Sequence, residues 1–386
     1  MSSKLRVLSL LAAISLLVAA CAPVATPAPT TGPTQPAAET PTSPAAEIPT
    51  TTAETSTTAP TSAGTPAANI KVCQVTDQGG IDDKSFNTMA WKGVQDAIDK
   101  LGIQGKYLES KQESDYEKNI DAMLTDNCDL IITVGFLLEG ATKTAAQANP
   151  NQKFAIVDVS YDPPINNVLG QVFASDQGAF MAGYLSAGVT KTGKVGTFGG
   201  MQIPPVTLYL DGFVYGVRAY NAKHGTHVQA VGWDPDTQTG LFTGNFSSLD
   251  DGKRAAQSLI AEGVDIIMPG AGAGSLGAGT AAKEAGNVYL VGVDADWFNT
   301  APEFANIELT SVLKRMDVAV YDAIQQVIQG TFKGDTYVGT LQNGGMDLAP
   351  YHNLESMVPQ SLRDELAQVR ADIIAGKVKT SPHPLQ

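Results

Sequence analysis

Val75-Thr-Asp77-Gln-Gly-Gly-Ile-Asp82-Asp83-Lys84-Ser85-Phe86-Asn87 is a polar loop between Lys71–Thr76, which reads as a strand, and Asn87–Leu101, which reads as a helix. Loops at the carboxyl ends of strands carry the binding sites of open α/β sheets. Asp83 and Ser85 are candidate helix N-caps. Phe86 is an aromatic residue in polar company, suited to stacking on a planar ring. Asn87 can both donate and accept, which matches a purine edge or an amide. The plainer reading is a capping loop with Phe86 as a hydrophobic staple. On this segment alone both readings stay open.

Outward from the loop, residues 70–386 alternate short apolar runs with amphipathic ones. Further strands are expected at Lys106–Glu109, Leu130–Val134, Phe154–Val159, Val195–Phe198, Val228–Val231, Asp265–Met268 and Tyr289–Val293. Helices are expected at Tyr116–Thr125, Gly178–Val189, Asp211–His224, Asp251–Glu262 and Val312–Gly330. Runs such as Leu130–Val134 are apolar throughout, as strands covered on both faces are. The alternation predicts an α/β fold with parallel sheets. Two doubly wound sheets of about five or six strands suit this length better than one of about eleven. No tandem repeat is visible.

The amino-terminal end has a different character. Lys4 and Arg6 precede an apolar run from Leu8 to Ala20, too short to span a bilayer but suited to a signal-peptide core. Val18-Ala19-Ala20-Cys21 then places small residues directly before a cysteine. Ala22–Asn69 follows with 14 Thr, 12 Ala, 10 Pro and 3 Ser, no aromatic residue, and Glu39, Glu47 and Glu54 as its only charges. Such a segment cannot bury enough apolar surface to offset its ordering entropy, and its prolines favour extended stretches. A coil of that length spans roughly 40 Å. Over the whole chain of 386 residues, 43% are hydrophobic, so a core is affordable. The formal net charge of −14 argues against nucleic acid as a partner, because phosphate binding needs clustered Lys and Arg.

Gly272-Ala-Gly274-Ser-Leu-Gly277 matches a dinucleotide fingerprint and stands between a strand and a helix. It lies late in the chain, amid other small residues, and is better read as a loop whose backbone N–H groups approach a ligand closely. The histidines His224, His227, His352 and His383 form no cluster with cysteines or carboxylates, and no metal is expected. Cys73 and Cys128 fall in or beside neighbouring strands; a disulfide is open to them, but register can forbid it, and two buried thiols are the expectation. No nucleophile elbow and no Walker A sequence occurs.

Asp82-Asp83-Lys84-Ser85-Phe86-Asn87 resembles the signature of the basic membrane protein family of lipoproteins, the purine nucleoside receptors of ABC importers. The likeness continues at Val134-Gly135-Phe136, Ala155-Ile-Val-Asp158, Gly199-Gly200-Met201-Gln-Ile-Pro204, Gly212-Phe213, Ala271-Gly272, Gly292-Val-Asp294 and Ser311-Val-Leu-Lys314-Arg315. Cys21 and the small residues before it resemble a bacterial lipobox, which implies cleavage before Cys21 and its acylation. The resemblance implies the type I periplasmic-binding-protein fold: two doubly wound α/β lobes joined by a three-strand hinge that close on a ligand. The expected organisation is a signal peptide at 1–20 and a lipidated Cys21 with its tether at 21–69. The binding domain then occupies 70–386, its first lobe mainly 70–175 and its second mainly 176–294.

Carried over residue by residue, Phe86 would stack on the base while Asn87 and Asp158 address its polar edge, with Asp77 on the same wall. Asp294 and Lys314 match the family's ribose-facing acid and lysine. Gly272 stands in a ligand-facing loop. Met268 stands where many members have an aromatic residue and is expected to contact the ring. Tyr209 replaces a usual Phe and is expected to supply stacking. Trp297 and Thr88 replace glutamines. The resemblance implies no catalysis and no cofactor. It implies a monomeric receptor on the extracytoplasmic side, held to the membrane by lipid, serving a permease with a separate ATPase. Two other readings are weighed: a receptor of the same fold for a sugar or other small solute, and an NAD-dependent or nucleoside-hydrolysing enzyme.

Overall fold

The computed structural model describes residues 69–385; the expected signal peptide, Cys21 and the tether up to residue 68 lie outside the described residues. The described chain opens with β1 (Lys71–Val75), α1 (Phe86–Leu101), β2 (Gln104–Leu108), α2 (Tyr116–Thr125), β3 (Leu130–Val134), α3 (Glu139–Ala148), β4 (Lys153–Val157) and β5 (Val168–Phe173). Next come α4 (Ser175–Val189), β6 (Lys194–Gly199), α5 (Pro204–His224), β7 (Gln229–Val231) and the small hairpin β8 (Trp233–Asp234) and β9 (Thr239–Gly240). They are followed by α6 (Leu249–Ala261), β10 (Ile266–Gly270), α7 (Gly274–Ala285), β11 (Tyr289–Asp294), α8 (Trp297–Thr300) and β12 (Glu308–Lys314). The chain ends with α9 (Met316–Gln329), β13 (Asp335–Gly339), β14 (Met346–Leu348) and α10 (Gln360–Ile374).

Two six-stranded sheets result, in the orders β13-β5-β4-β3-β1-β2 and β14-β12-β11-β10-β6-β7. The first is parallel throughout, and in the second only β14 is antiparallel, against β12. The strand order is the same in both lobes. The chain passes between them three times: through α4 after β5, through α9 after β12, and in the turn from β13 to β14. Each sheet is covered on both faces. Val72, Leu130 and Ile132 pack in one core, while Cys73, Val75 and Ile131, one position along, pack in another with Tyr116, Ile120 and Met123 of α2. That two-sided burial accounts for the unbroken apolar runs.

Glycines let the helices cross closely. A Cβ on Gly183 would collide with the carbonyl of Phe213, and one on Gly216 with that of Phe180, where α4 crosses α5. The same holds for Gly277 against Leu249, and for Gly252 against Gly274, where α6 crosses α7. Gly274 and Gly277 of the fingerprint-like run thus serve helix packing.

Two expectations need correction. Val312–Lys314 is the end of β12, and the helix expected from Val312 starts at Met316. Only Arg315 separates strand from helix, and no glycine or proline marks the boundary. Cys73 and Cys128 form a disulfide, with their Cα atoms 6.0 Å apart. Cys128 lies in the turn before β3, outside the ladder, so strand register places no limit on it.

Candidate ligand-binding cleft

Strand ends from both sheets converge on one cleft with an empty volume of about 600 Å³, solvent at its mouth included. Asp77 follows β1, Gly135 follows β3 and Asp158 follows β4; from the other lobe Gly270, Asp294 and Lys314 end β10, β11 and β12. Phe86, Phe136 and Leu137 of the first lobe and Val206, Tyr209 and Phe246 of the second give it apolar walls. A few polar groups among aromatic and aliphatic walls is the usual make-up of a small-molecule site.

The loop ahead of α1 is organised by Asp83, which is buried. Its carboxylate accepts from the backbone N–H groups of Ser85 (3.0 Å), Asn87 (2.8 Å) and Thr88 (3.1 Å), and from the Thr88 hydroxyl (3.0 Å). These are the orphan donors of a helix N-terminus, so Asp83 is the cap. Burial pushes its carboxyl up to about 6, against the pull of those backbone donors. Ser85, the other expected cap, makes no capping bond with its side chain. Thr88 is thereby tied into the loop.

Asn87 donates its amide hydrogens to Asp77 Oδ1 (2.8 Å) and Asp83 Oδ2 (3.2 Å). Asp77 Oδ1 also accepts from Gly79 N (3.0 Å), and burial raises its carboxyl above the ordinary range. Gly135, at φ +115°, leaves the room Asp77 needs: a Cβ there would lie 3.0 Å from Asp77 Oδ2.

Two polar contacts join the lobes. Lys314 Nζ donates to Asp158 at 2.6 Å, with both side chains nearly dry. Burial is the main influence raising the Asp158 carboxyl, and Lys314 opposes it. The Lys314 ammonium also sits 4.8 Å from the Phe86 ring centroid. The Ser85 hydroxyl lies 2.9 Å from both Val293 O and Asp294 Oδ2. Tyr209 Oη donates to Asp294 Oδ1 at 2.8 Å, and burial followed by that carboxylate raises the phenol. Asp158, directly after β4, and Asp294, the last residue of β11, occupy matching places in the two sheets, at φ +68° and +67°. Such backbone in a non-glycine residue is uncommon and gathers at functional sites.

Asp77, Phe86, Asn87, Asp158, Tyr209, Gly272, Asp294 and Lys314 thus meet at one cleft. Met268 does not: it is fully buried in β10, two residues short of the strand end, where Gly270 reaches the cleft instead. Trp297 is buried too, its indole N–H donating to Val293 O. Phe136 and Phe246 are wall residues that the sequence did not single out. The first stood inside a quoted likeness; the second lies in a loop without a pattern.

A family model described as ABC transporter substrate-binding protein PnrA-like matches residues 70–380. The chain is 31% identical over 335 residues to the "ABC transporter nucleoside-binding protein BmpA" of Lactococcus lactis, covering 82% of this chain and 90% of that one. It is 32% identical to "Basic membrane protein A1" of Borrelia garinii, over 79% and 86% of the two chains. The crystal structure of an ABC transporter system solute-binding protein from Aeropyrum pernix superposes with a TM-score of 0.72 at 28% identity, over 80% of this chain and 92% of that one. The fold is accordingly the type I periplasmic-binding-protein architecture. The chain belongs to the Bmp family of PnrA-like ABC transporter substrate-binding proteins.

Proposed function

We propose that the protein captures a purine nucleoside in this cleft by lobe closure and delivers it to a membrane permease driven by a separate ATPase. The observation that carries the reading is the pairing of Phe86 with Asn87 and Asp77 on one lobe, opposite Asp294 on the other. An aromatic face beside hydrogen-bonding groups suits a base, and a carboxylate across the gap suits vicinal hydroxyls. Four buried or half-buried carboxylates, Asp77, Asp83, Asp158 and Asp294, line the cleft with Lys314 as its one cation. That balance favours an uncharged nucleoside over a nucleotide. The name of the Lactococcus relative, a nucleoside-binding protein, supports a nucleoside as cargo. Ligand contacts to both lobes would shift the population toward the closed state, with no bond made or broken.

Among the described residues no helix is long and apolar enough to cross a membrane. Anchoring is assigned to acylated Cys21, with residues 22–69 as a tether that holds the domain on the extracytoplasmic side as a monomer. The test is calorimetric titration of residues 22–386, unfolded and refolded to strip copurified ligand, with guanosine, adenosine, inosine, uridine and ribose. Tight binding of a purine nucleoside with ribose silent is expected. Silence across the set from folded protein would remove nucleoside as cargo, and binding of ribose alone would make this a sugar receptor.

A further inference from the structure

The hydrogen-bonding polarity of the cleft is one-sided. Its donor side chains already face carboxylates: Lys314 faces Asp158, Tyr209 faces Asp294, and both amide hydrogens of Asn87 point at Asp77 and Asp83. The orientation of the Asn87 amide is therefore fixed by two carboxylate acceptors, which pair with its nitrogen and not with its oxygen. Asn87 Oδ1 is left buried with no hydrogen-bond partner among the described residues. Buried polar atoms without partners are rare, and each calls for an explanation. Asp77 presents the same polarity. Its Oδ1 holds Gly79 and Asn87, whereas no hydrogen bond is found to Oδ2 among the described residues. The bond between Asn87 and Asp77 ties together the two residues that carry these open acceptors, and both line the cleft.

Resting on the nucleoside reading above, we infer that the cleft selects bases whose edge carries adjacent N–H donors, so that guanosine is preferred to adenosine. Guanine offers N1–H and the N2 amino group next to one another, and hydrogen bonds from such donors to a carboxylate are the strong, charge-assisted kind. Hypoxanthine keeps N1–H alone. Adenine turns the N1 lone pair toward an acceptor, leaving a buried acceptor pair facing each other without a proton. Asp83 is a positioning residue in this scheme: together with Asp77 it holds the Asn87 amide with its oxygen free.

Titration of the full chain, stripped of copurified ligand, with guanosine, inosine, adenosine and 1-methylguanosine tests the assignment. Guanosine should bind tightest, inosine next, and adenosine and 1-methylguanosine about tenfold or more weaker, since a site built around a donor rejects a ligand lacking it. Asp77→Asn keeps an oxygen for Gly79 and Asn87 and replaces the open acceptor by a donor. It should weaken guanosine about tenfold or more while leaving adenosine unchanged or tighter. Adenosine or 1-methylguanosine binding wild type as tightly as guanosine overturns the edge assignment alone. Equal losses for guanosine and adenosine in Asp77→Asn also overturn it. Silence from all four nucleosides overturns the nucleoside reading, and the edge assignment with it.

Discussion

Phe86 is the residue on which the base-stacking part of the proposal turns. It opens α1, lines the cleft half-buried, and shares its ring with the Lys314 ammonium. Phe86→Ala should weaken nucleoside binding by about 1–3 kcal/mol, the scale of base–aromatic stacking. Calorimetric affinity unchanged from wild type would take Phe86 out of the site. Phe86 and Asn87 were legible because they sit in one polar loop directly after a strand, whereas Asp77 in the same loop was placed by resemblance. Asp158, Asp294 and Lys314 were reached only by resemblance, each being a single polar residue at the end of an apolar strand. Met268 shows why alignment by type is not enough: two residues of depth along β10 separate a core position from a cleft position. Phe246 had no signal, since an aromatic residue in a glycine- and serine-rich loop looks the same whether it faces ligand or packs on its neighbours.

At the scale of elements, β12 carries a device that couples the turn after β11 to the sheet. Trp297 N donates to Ser311 Oγ at 3.1 Å, and Ser311 Oγ donates to Glu308 Oε1 at 2.5 Å. Glu308 is buried, its second oxygen has no partner among the described residues, and desolvation pushes its carboxyl up to about 7. A carboxyl raised in the fold stabilises it fully below the unfolded value of about 4.5, and that contribution is lost as pH rises through about 7. Glu308→Gln should therefore be about 3 kcal/mol more stable than wild type at pH 8 and close to it at pH 4.5. Urea unfolding at both pH values checks this, and an equal difference at the two would refute it. Most elements were visible as apolar runs and amphipathic stretches. The helix misread from Val312 was not, because β12 and α9 abut with only Arg315 between them. The short edge strand β14 was invisible too, since three residues pair only because β12 lies beside them.

For the whole molecule, the arrangement captured is one in which the lobes touch through Ser85–Asp294 and Lys314–Asp158. Ser85→Ala removes one clasp without touching the Asp83 cap. It should raise the ligand off-rate about tenfold, the worth of one hydrogen bond to a charged group, while the on-rate stays nearly constant. Stopped-flow tryptophan fluorescence would measure it, and an unchanged off-rate would show that closure does not depend on this contact. The two-sheet architecture followed from length and alternation, but the matching strand order of the lobes left no repeat in the sequence, since topology can persist while side chains diverge. That sameness has a consequence for orientation. Two jaws cut from one plan hold no instruction about which end of an asymmetric cargo faces which jaw. The instruction resides in the side chains each jaw presents to the cleft, Phe86 and Asn87 at the start of α1 on one side and Tyr209 and Asp294 on the other.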